Sequence, residues 1–135
     1  MKILVTGAAG FIGFNFSKFL LEKTNFDVIG VDNLNDYYSV NVKKSRLKLL
    51  KEFKNFSFVK LDITNKKKLE KIFKKKIDAV FHFAAQAGVR YSIKNPRAYI
   101  ESNTLGFFNV IDFSIKNKVK KIFYASSSSV YGESK

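Results

Sequence analysis

Three glycines, Gly7, Gly10 and Gly13, punctuate "VTGAAGFIG" (5–13), and Asp32 closes the next apolar run, "DVIGVD" (27–32). Residues of these types at this spacing can hold a dinucleotide. The first glycine permits a tight turn after a strand, and the second lets backbone approach a pyrophosphate. The third allows a helix to pack closely on that strand. A helix opening there presents unpaired N–H groups and a partial positive charge to phosphate. Asp32 lies 19 positions after Gly13, close to the interval of an acid that accepts hydrogen bonds from both adenosine-ribose hydroxyls. A carboxylate there repels a 2′-phosphate, so NAD is favoured over NADP; the competing role for Asp32 is a helix or turn cap. Asp62, in "KLDI", fits either the adenine edge or a plain turn acid.

Those residues need a frame, and the apolar pattern supplies one. "KILVT" (2–6), "DVIGVD" (27–32), "FSFVKLD" (56–62), "DAVFHFAA" (78–85) and "KKIFYASSS" (120–128) read as buried strands. Between them lie helical patterns. Phe11, Phe14, Phe16, Phe19 and Leu20 recur at intervals near three, "VKKSRLKLL" follows a polar loop, and Leu69, Ile72 and Phe73 form an i, i+3, i+4 stripe. Asn95-Pro96 opens a long helix, with Asn as cap and Pro at the first position. Its expected core residues are Ala98, Tyr99, Leu105, Phe108, Val110 and Ile111. Strands alternating with helices predict an α/β fold with a doubly wound parallel sheet of five strands in the order 3-2-1-4-5. Ligands of such sheets bind beyond the carboxyl ends of the strands, at the switch between strands 1 and 4. The glycine turn falls there. His82, the single histidine, sits inside the fourth strand and reads as a packed, hydrogen-bonded core residue.

The chain has 135 residues and 46% apolar content, which is enough for one domain with a true core. The absence of cysteine excludes disulfides, thiolate metal sites and a cysteine nucleophile, and no metal site is expected. No apolar run approaches the ~20 residues of a membrane span, and the N-terminus does not read as a signal peptide, so the expected location is cytoplasmic with no membrane partner. The net charge of +14 raises nucleic acid as a partner. The lysines, however, bunch on polar helix faces and helix ends in "VKKSRLKLLKEFK" (42–54), "NKKKLEKIFKKK" (65–76) and "KNKVKK" (116–121). Only Arg46, Arg90 and Arg97 among the 25 basic residues carry the guanidinium fork suited to phosphates and bases. A solvated lysine-rich surface is expected, without a nucleic-acid site.

The G-x-x-G-x-x-G spacing resembles the extended short-chain dehydrogenase/reductase family, the NAD-dependent epimerases and dehydratases. The resemblance continues through "TGAAGFIG", "VDNLNDYY", "KLDI", "FHFAAQAGVRYS", "ESNTLGFFNV" and "YASSSSVYG", in that order. Within the family, "DNLNDYY" and "AAQAGVRYSIKNP" look most like UDP-glucuronate 4-epimerases. The resemblance implies a Rossmann-type domain over 1–135, incomplete, with its last strands and substrate domain lying beyond. It implies NAD contacts from Gly7, Gly10, Phe11, Ile12, Gly13, Asp32, Asn33, Asp62 and Ile63. It adds Phe83, Ala84, Ala85 and Gln86 after the fourth strand, and Asn103 on the long helix.

The resemblance also assigns the family's catalytic Ser/Thr to Ser127. Ser128 and Ser129 occupy the positions of the dehydratases' Asp-Glu pair. Without those acids, elimination of water lacks its general acid, and epimerisation through a 4-keto sugar is the better reading. Ser128 and Ser129 are then expected beside the substrate, and Arg90 fits either a contact to an anionic UDP-sugar or an exposed loop residue. Tyr131 and Lys135 share the Y-x-x-x-K spacing of the family's catalytic pair, which works on a helix where i and i+4 share a face. Gly132 follows Tyr131 directly after a strand, and the family places its Tyr a couple of dozen residues beyond the Ser/Thr, so this pair is a coincidence. The expectation is a chain that lacks the Tyr–Lys helix, does not epimerise by itself, binds NAD weakly, and exposes apolar surface that promotes self-association or a homodimer. The competing readings are a non-catalytic dinucleotide-binding module, a sugar-nucleotide dehydratase or decarboxylase, and a basic nucleic-acid-binding protein.

Overall fold

The computed structural model describes residues 1–133. Among them, β1 (Lys2–Thr6), β2 (Asp27–Asp32), β3 (Phe56–Lys60), β4 (Ala79–His82) and β5 (Lys121–Tyr124) form one parallel sheet in the order β3-β2-β1-β4-β5. Successive residues of a strand face opposite sides, so each strand feeds two cores. Leu4, Ile29, Val31 and Val80 meet Leu69, Ile72 and Phe73 of helix α3 (Lys66–Phe73) and Val110 of a later helix. On the other face, Ile3, Val5, Val28 and Ala79 meet Leu20 and Leu21 of α1 (Phe11–Lys23) and Leu47 and Leu50 of α2 (Val40–Leu50). The doubly wound arrangement follows from burying both faces of a parallel sheet.

The strands end earlier than the apolar runs that encode them. The backbone leaves β1 at Gly7, whose φ of 69° starts a turn. The ladder stops at the same level in its neighbours, where Thr6 pairs with His82 and His82 with Tyr124. Residues 83–85 and 125–128 therefore leave the ladder at the carboxyl edge, and so do Leu61 and Asp62. A run of apolar residues marks what is buried, and partner length decides how much of it is strand.

Two helices carry their contacts differently from the apolar pattern. In α1, Phe11 and Phe19 are exposed, while Gly13 and Ser17 are buried, because small side chains allow the helix to approach the sheet. The helix from Asn95-Pro96 starts as expected, with the Asn95 side chain accepting a hydrogen bond from Ala98 N at 3.3 Å. It runs as α5 (Pro96–Tyr99), after a short α4 (Val89–Lys94) that the sequence pattern did not reveal. It then widens into a π-helical segment, Ile100–Gly106, before continuing as α6 (Phe107–Lys116). The wide turn shifts the register of the buried face. Val110 is buried as expected, whereas Leu105 and Phe108 are exposed and Gly106, Asn109 and Ser114 take the inner positions. A Cβ on Gly106 would stand 2.6 Å from Ile63 Cδ1, and Asn109 Nδ2 donates to Ile63 O at 3.0 Å.

β3 and β5 are the edge strands of the sheet, and Phe123 and Tyr124 on β5 are about half exposed. Phe123 stacks on Phe81 at 4.7 Å, and Phe81 meets Phe16 of α1 at 4.3 Å. The expected bare apolar surface is present at this edge. No helix among the described residues is long and apolar enough to cross a membrane.

Phe73 is fully buried against Phe113, whereas Phe108 is 55% exposed. Phe73→Ala is expected to cost about 3–5 kcal/mol in equilibrium urea unfolding. Phe108→Ala, at a position the apolar pattern assigns to the core, is expected to stay within about 0.5 kcal/mol of the parent.

Candidate dinucleotide site

The turn after β1 is built from backbone contact. Gly10 N donates to Gly7 O at 2.9 Å, and Phe14 N returns to Gly10 O at 3.0 Å. A Cβ on Gly7 would stand 2.7 Å from Ala84 N, and one on Gly13 would stand 2.1 Å from Gly7 O. Neither position admits a larger residue without moving backbone. The helix that follows has Gly10 as its cap, no capping side chain and no acid in its first turn. Its first N–H groups, at Phe11, Ile12 and Gly13, have no helical partner and no competing carboxylate. This arrangement accommodates an anion such as a phosphate.

Gly7 and Gly10 line a cleft of about 310 Å³ at the carboxyl edge of the sheet, between the loops after β1, β2, β3 and β4. Asp32, Asn33, Asp62, Ile63, Phe83, Ala84, Ala85 and Gln86 line the same cleft, so the fold gathers ten of the expected cofactor residues. Asp32 is nearly buried, and its carboxylate is oriented by Ala9 N at 3.1 Å and Leu34 N at 2.8 Å. The turn-cap role leaves room for a ligand, since each carboxylate oxygen has further acceptor capacity. Asp62 accepts from Asn33 Nδ2 at 2.9 Å and from Thr64 N and Oγ1 at 2.9 and 2.6 Å. Burial pushes its carboxyl up, but the bonds from Asn33 and Thr64 outweigh burial and hold it below the usual range.

The loop after β4 is held by two side chains. Thr6 Oγ1 accepts from Phe83 N at 3.2 Å and Ala84 N at 3.1 Å, and lies 2.8 Å from His82 Nδ1. Two accepted bonds leave the hydroxyl proton to point at Nδ1, so the imidazole proton sits on Nε2. His82 is buried, stacks on Phe107 at 5.1 Å, and is the packed core residue expected from the sequence. Burial lowers its pKa from 6.5 to about 4. Further along, Asn103 Oδ1 accepts from Gln86 N at 2.7 Å and Asn103 Nδ2 donates to Gln86 O at 2.9 Å. Asn103 lies in the π-helical segment and holds the backbone of a cleft residue from behind.

Other expected residues lie apart from the cleft wall. Phe11 and Ile12 are exposed on the first turn of α1, and Gly13 is buried behind it. Ser127 follows β5 and caps the 3₁₀ turn Ser128–Tyr131, where its Oγ accepts from Ser129 N at 3.2 Å and donates to Ser129 Oγ at 3.1 Å. Arg90 lies in the first turn of α4, exposed, rather than in a loop. Tyr131 ends the 3₁₀ turn and Gly132 adopts φ 66°, so no α-helix passes from Tyr131 into the next residue; Lys135 lies outside the described residues.

Several cleft residues were not expected. Tyr37, Tyr38, Asn35 and Lys43 line it, as do Thr64, Glu101 and Ser102. Lys43 is an exception to the solvated surface expected of its segment: it is buried, and Nζ donates to Asn35 O at 2.8 Å and Asn35 Oδ1 at 2.7 Å. Its position as the first lysine of "VKKSR", directly after an apolar residue, is the only local sign. Tyr37 meets Tyr91 of α4 at 5.0 Å and so bridges the loops after β2 and β4.

The family model of the NAD dependent epimerase/dehydratase family matches residues 3–135. The chain belongs to this family. It is 50% identical over 129 residues to a UDP-glucuronate 4-epimerase of Thermodesulfobacterium geofontis, covering 95% of this chain and 40% of that protein. It is 46% identical over 134 residues to UDP-glucuronate 4-epimerase 4 of Arabidopsis thaliana, covering 98% of this chain and 30% of that protein. Among solved structures, UDP-glucuronic acid 4-epimerase of Bacillus cereus, in complex with UDP-glucuronic acid and NAD, superposes with a TM-score of 0.91. That match is 36% identical and covers 100% of this chain and 43% of the other. The chain spans about 40% of the length of the first curated relatives it matches. Family membership accords with the glycine turn, the acid after β2 and the 3-2-1-4-5 order.

His82 makes the stability of this domain pH-dependent. Its folded pKa lies below its unfolded value, so the unfolded chain binds more protons between pH 6.5 and about 4. The contribution is complete above pH 6.5, falls as pH drops, and is gone below about pH 4, amounting to roughly 3 kcal/mol. The single imidazole NMR signal is expected to titrate near pH 4, and His82→Gln to flatten the unfolding free energy across this window.

Proposed function

We propose that this chain is the cofactor-binding part of an NAD-dependent UDP-sugar 4-epimerase, with UDP-glucuronate as the substrate. The observation that carries the reading is the cleft in which the glycine turn, Asp32 and the loop after β4 converge. The names of the relatives support the substrate, since the Thermodesulfobacterium and Arabidopsis proteins are UDP-glucuronate 4-epimerases.

A bound NAD would supply hydride acceptance and return at C4 of the sugar. The chain's own residues would bind and orient. Gly7 and Gly10 offer a backbone surface without Cβ atoms, and the N–H groups of Phe11, Ile12 and Gly13 meet the pyrophosphate. Asp32 accepts from the adenosine-ribose hydroxyls. Asp62 and Ile63, with Asn33 beside them, form the adenine end. Phe83, Ala84, Ala85 and Gln86 line the path towards the nicotinamide, and Asn103 holds Gln86 in place. Ser127, beyond β5, would hydrogen-bond the C4 oxygen of the sugar. Ser128 and Ser129 stand beside it, and Arg90 offers a guanidinium to the anionic substrate.

Calorimetric titration of the chain with NAD tests the reading. Binding is expected to respond little to salt and to favour NAD over NADP. Asp32→Asn should weaken NAD by about ten- to a hundredfold, the loss of hydrogen bonds to a charged acceptor. No NAD binding, or RNA binding with a steep salt slope in its place, would overturn it.

A further inference from the structure

The loop after β3 sets a hydrogen-bond donor beside an acceptor in the cleft wall. Ile63 lines the cleft, and its N–H makes no hydrogen bond among the described residues. Just before it, Asp62 accepts from Thr64 N and Oγ1 on Oδ1 and from Asn33 Nδ2 on Oδ2, which leaves Oδ2 with acceptor capacity. The two groups can read a base only if the backbone of 62–64 is fixed. Asn109 of α6 fixes it. Asn109 is fully buried, and Nδ2 donates to Ile63 O at 3.0 Å and to Thr64 O at 3.4 Å. Among the described residues no other donor reaches either carbonyl. Asn109 Oδ1, by contrast, is buried without a partner. An unmet buried acceptor costs stability, so packing alone would be served better by an aliphatic side chain. What the amide adds is its hold on two carbonyls of the loop.

We infer that Asn109 is a positioning residue for base selection: it holds the Ile63 N–H and the Asp62 carboxylate where they meet the N1 acceptor and 6-amino donor of adenine. This rests on the cleft being the cofactor site. The order of donor and acceptor decides which purine fits. Hypoxanthine and guanine carry the reverse order, N1–H and O6, and would set donor against donor and acceptor against acceptor. Thr64 transmits the hold, because the residue whose carbonyl Asn109 reaches also orients Asp62 through its N–H and hydroxyl. Gly106 closes the other approach, since a Cβ there would stand 2.6 Å from Ile63 Cδ1 and Cγ1. A loop released from Asn109 would lose this selection first. The glycine turn and Asp32, which meet the phosphates and the ribose, do not touch Asn109.

A purely structural role for Asn109 is the alternative, and the ratio of two affinities separates them. ADP and inosine diphosphate are titrated into the unaltered chain and Asn109→Leu by calorimetry, with circular dichroism to show that the variant folds. The unaltered chain is expected to prefer ADP by at least about tenfold, because the inosine base leaves the site's polar groups unpaired. Asn109→Leu should weaken ADP roughly tenfold and inosine diphosphate by less than about twofold, so that the preference collapses. Equal loss for both nucleotides, or an unchanged preference, would overturn the inference and leave Asn109 a core residue. Equal affinity of the unaltered chain for both would overturn it as well. If Asn109→Leu does not fold, Asn109→Ser, whose single donor can serve only one of the two carbonyls, carries the same comparison. Failure of the unaltered chain to bind ADP at all would overturn the cofactor reading itself, and the role of Asn109 with it.

Discussion

The backbone of Gly7 and the first turn of α1 lie so close that neither Gly7 nor Gly13 has room for a Cβ. Much else depends on that approach. It sets how deeply α1 sits on the sheet, which is why the small Ser17 takes a fully buried position on the inner face. It fixes the direction of the helix N-terminus, and it brings the turn against the backbone of Phe83 and Ala84. The cleft is the space left over where the four loops after β1, β2, β3 and β4 leave the sheet.

Polar side chains behind the cleft hold those loops at that level. Thr6 satisfies two backbone donors of the loop after β4, and its remaining proton fixes the tautomer of His82. Asn103 does the same for Gln86 from the opposite side, using both its donor and its acceptor. These bonds specify geometry because a displaced loop would leave a backbone donor unmet. The π-helical segment is part of this device, since its wide turn accompanies Gly106 against Ile63 and Asn109 on the carbonyl of Ile63. Ile63 is thereby held from outside while lining the cleft.

Charge is distributed unevenly between surface and site. The net charge of +14 is mostly displayed on exposed helix faces, where i,i+4 pairs such as Lys74–Glu70 and Lys116–Asp112 contribute little individually. At the cleft Asp32 and Lys43 are buried, while Asp62 is exposed and held by its hydrogen bonds. Asp32, Asp62 and Lys43 each have named backbone or side-chain partners that orient them.

The amino-acid sequence by itself determined the five strands, their alternation with helices, the glycine turn and the acid after β2. These are local: apolar periodicity, the conformational freedom of glycine and fixed offsets along a βαβ unit. The sheet order followed from the handedness and burial that parallel crossovers impose. The tertiary structure alone decided what depends on partners distant in the chain. The ladder stops at Thr6, His82 and Tyr124 because paired strands end together. The π-helical turn exposes Phe108 and buries Asn109, which no 3.6-residue pattern could anticipate. Lys43, alike in type to the lysines around it, is buried because Asn35 and Tyr38 fold over it from a loop whose shape is set by the cleft. Residue type and spacing identify which groups can act, and only packing decides which of several equivalent lysines is taken out of water.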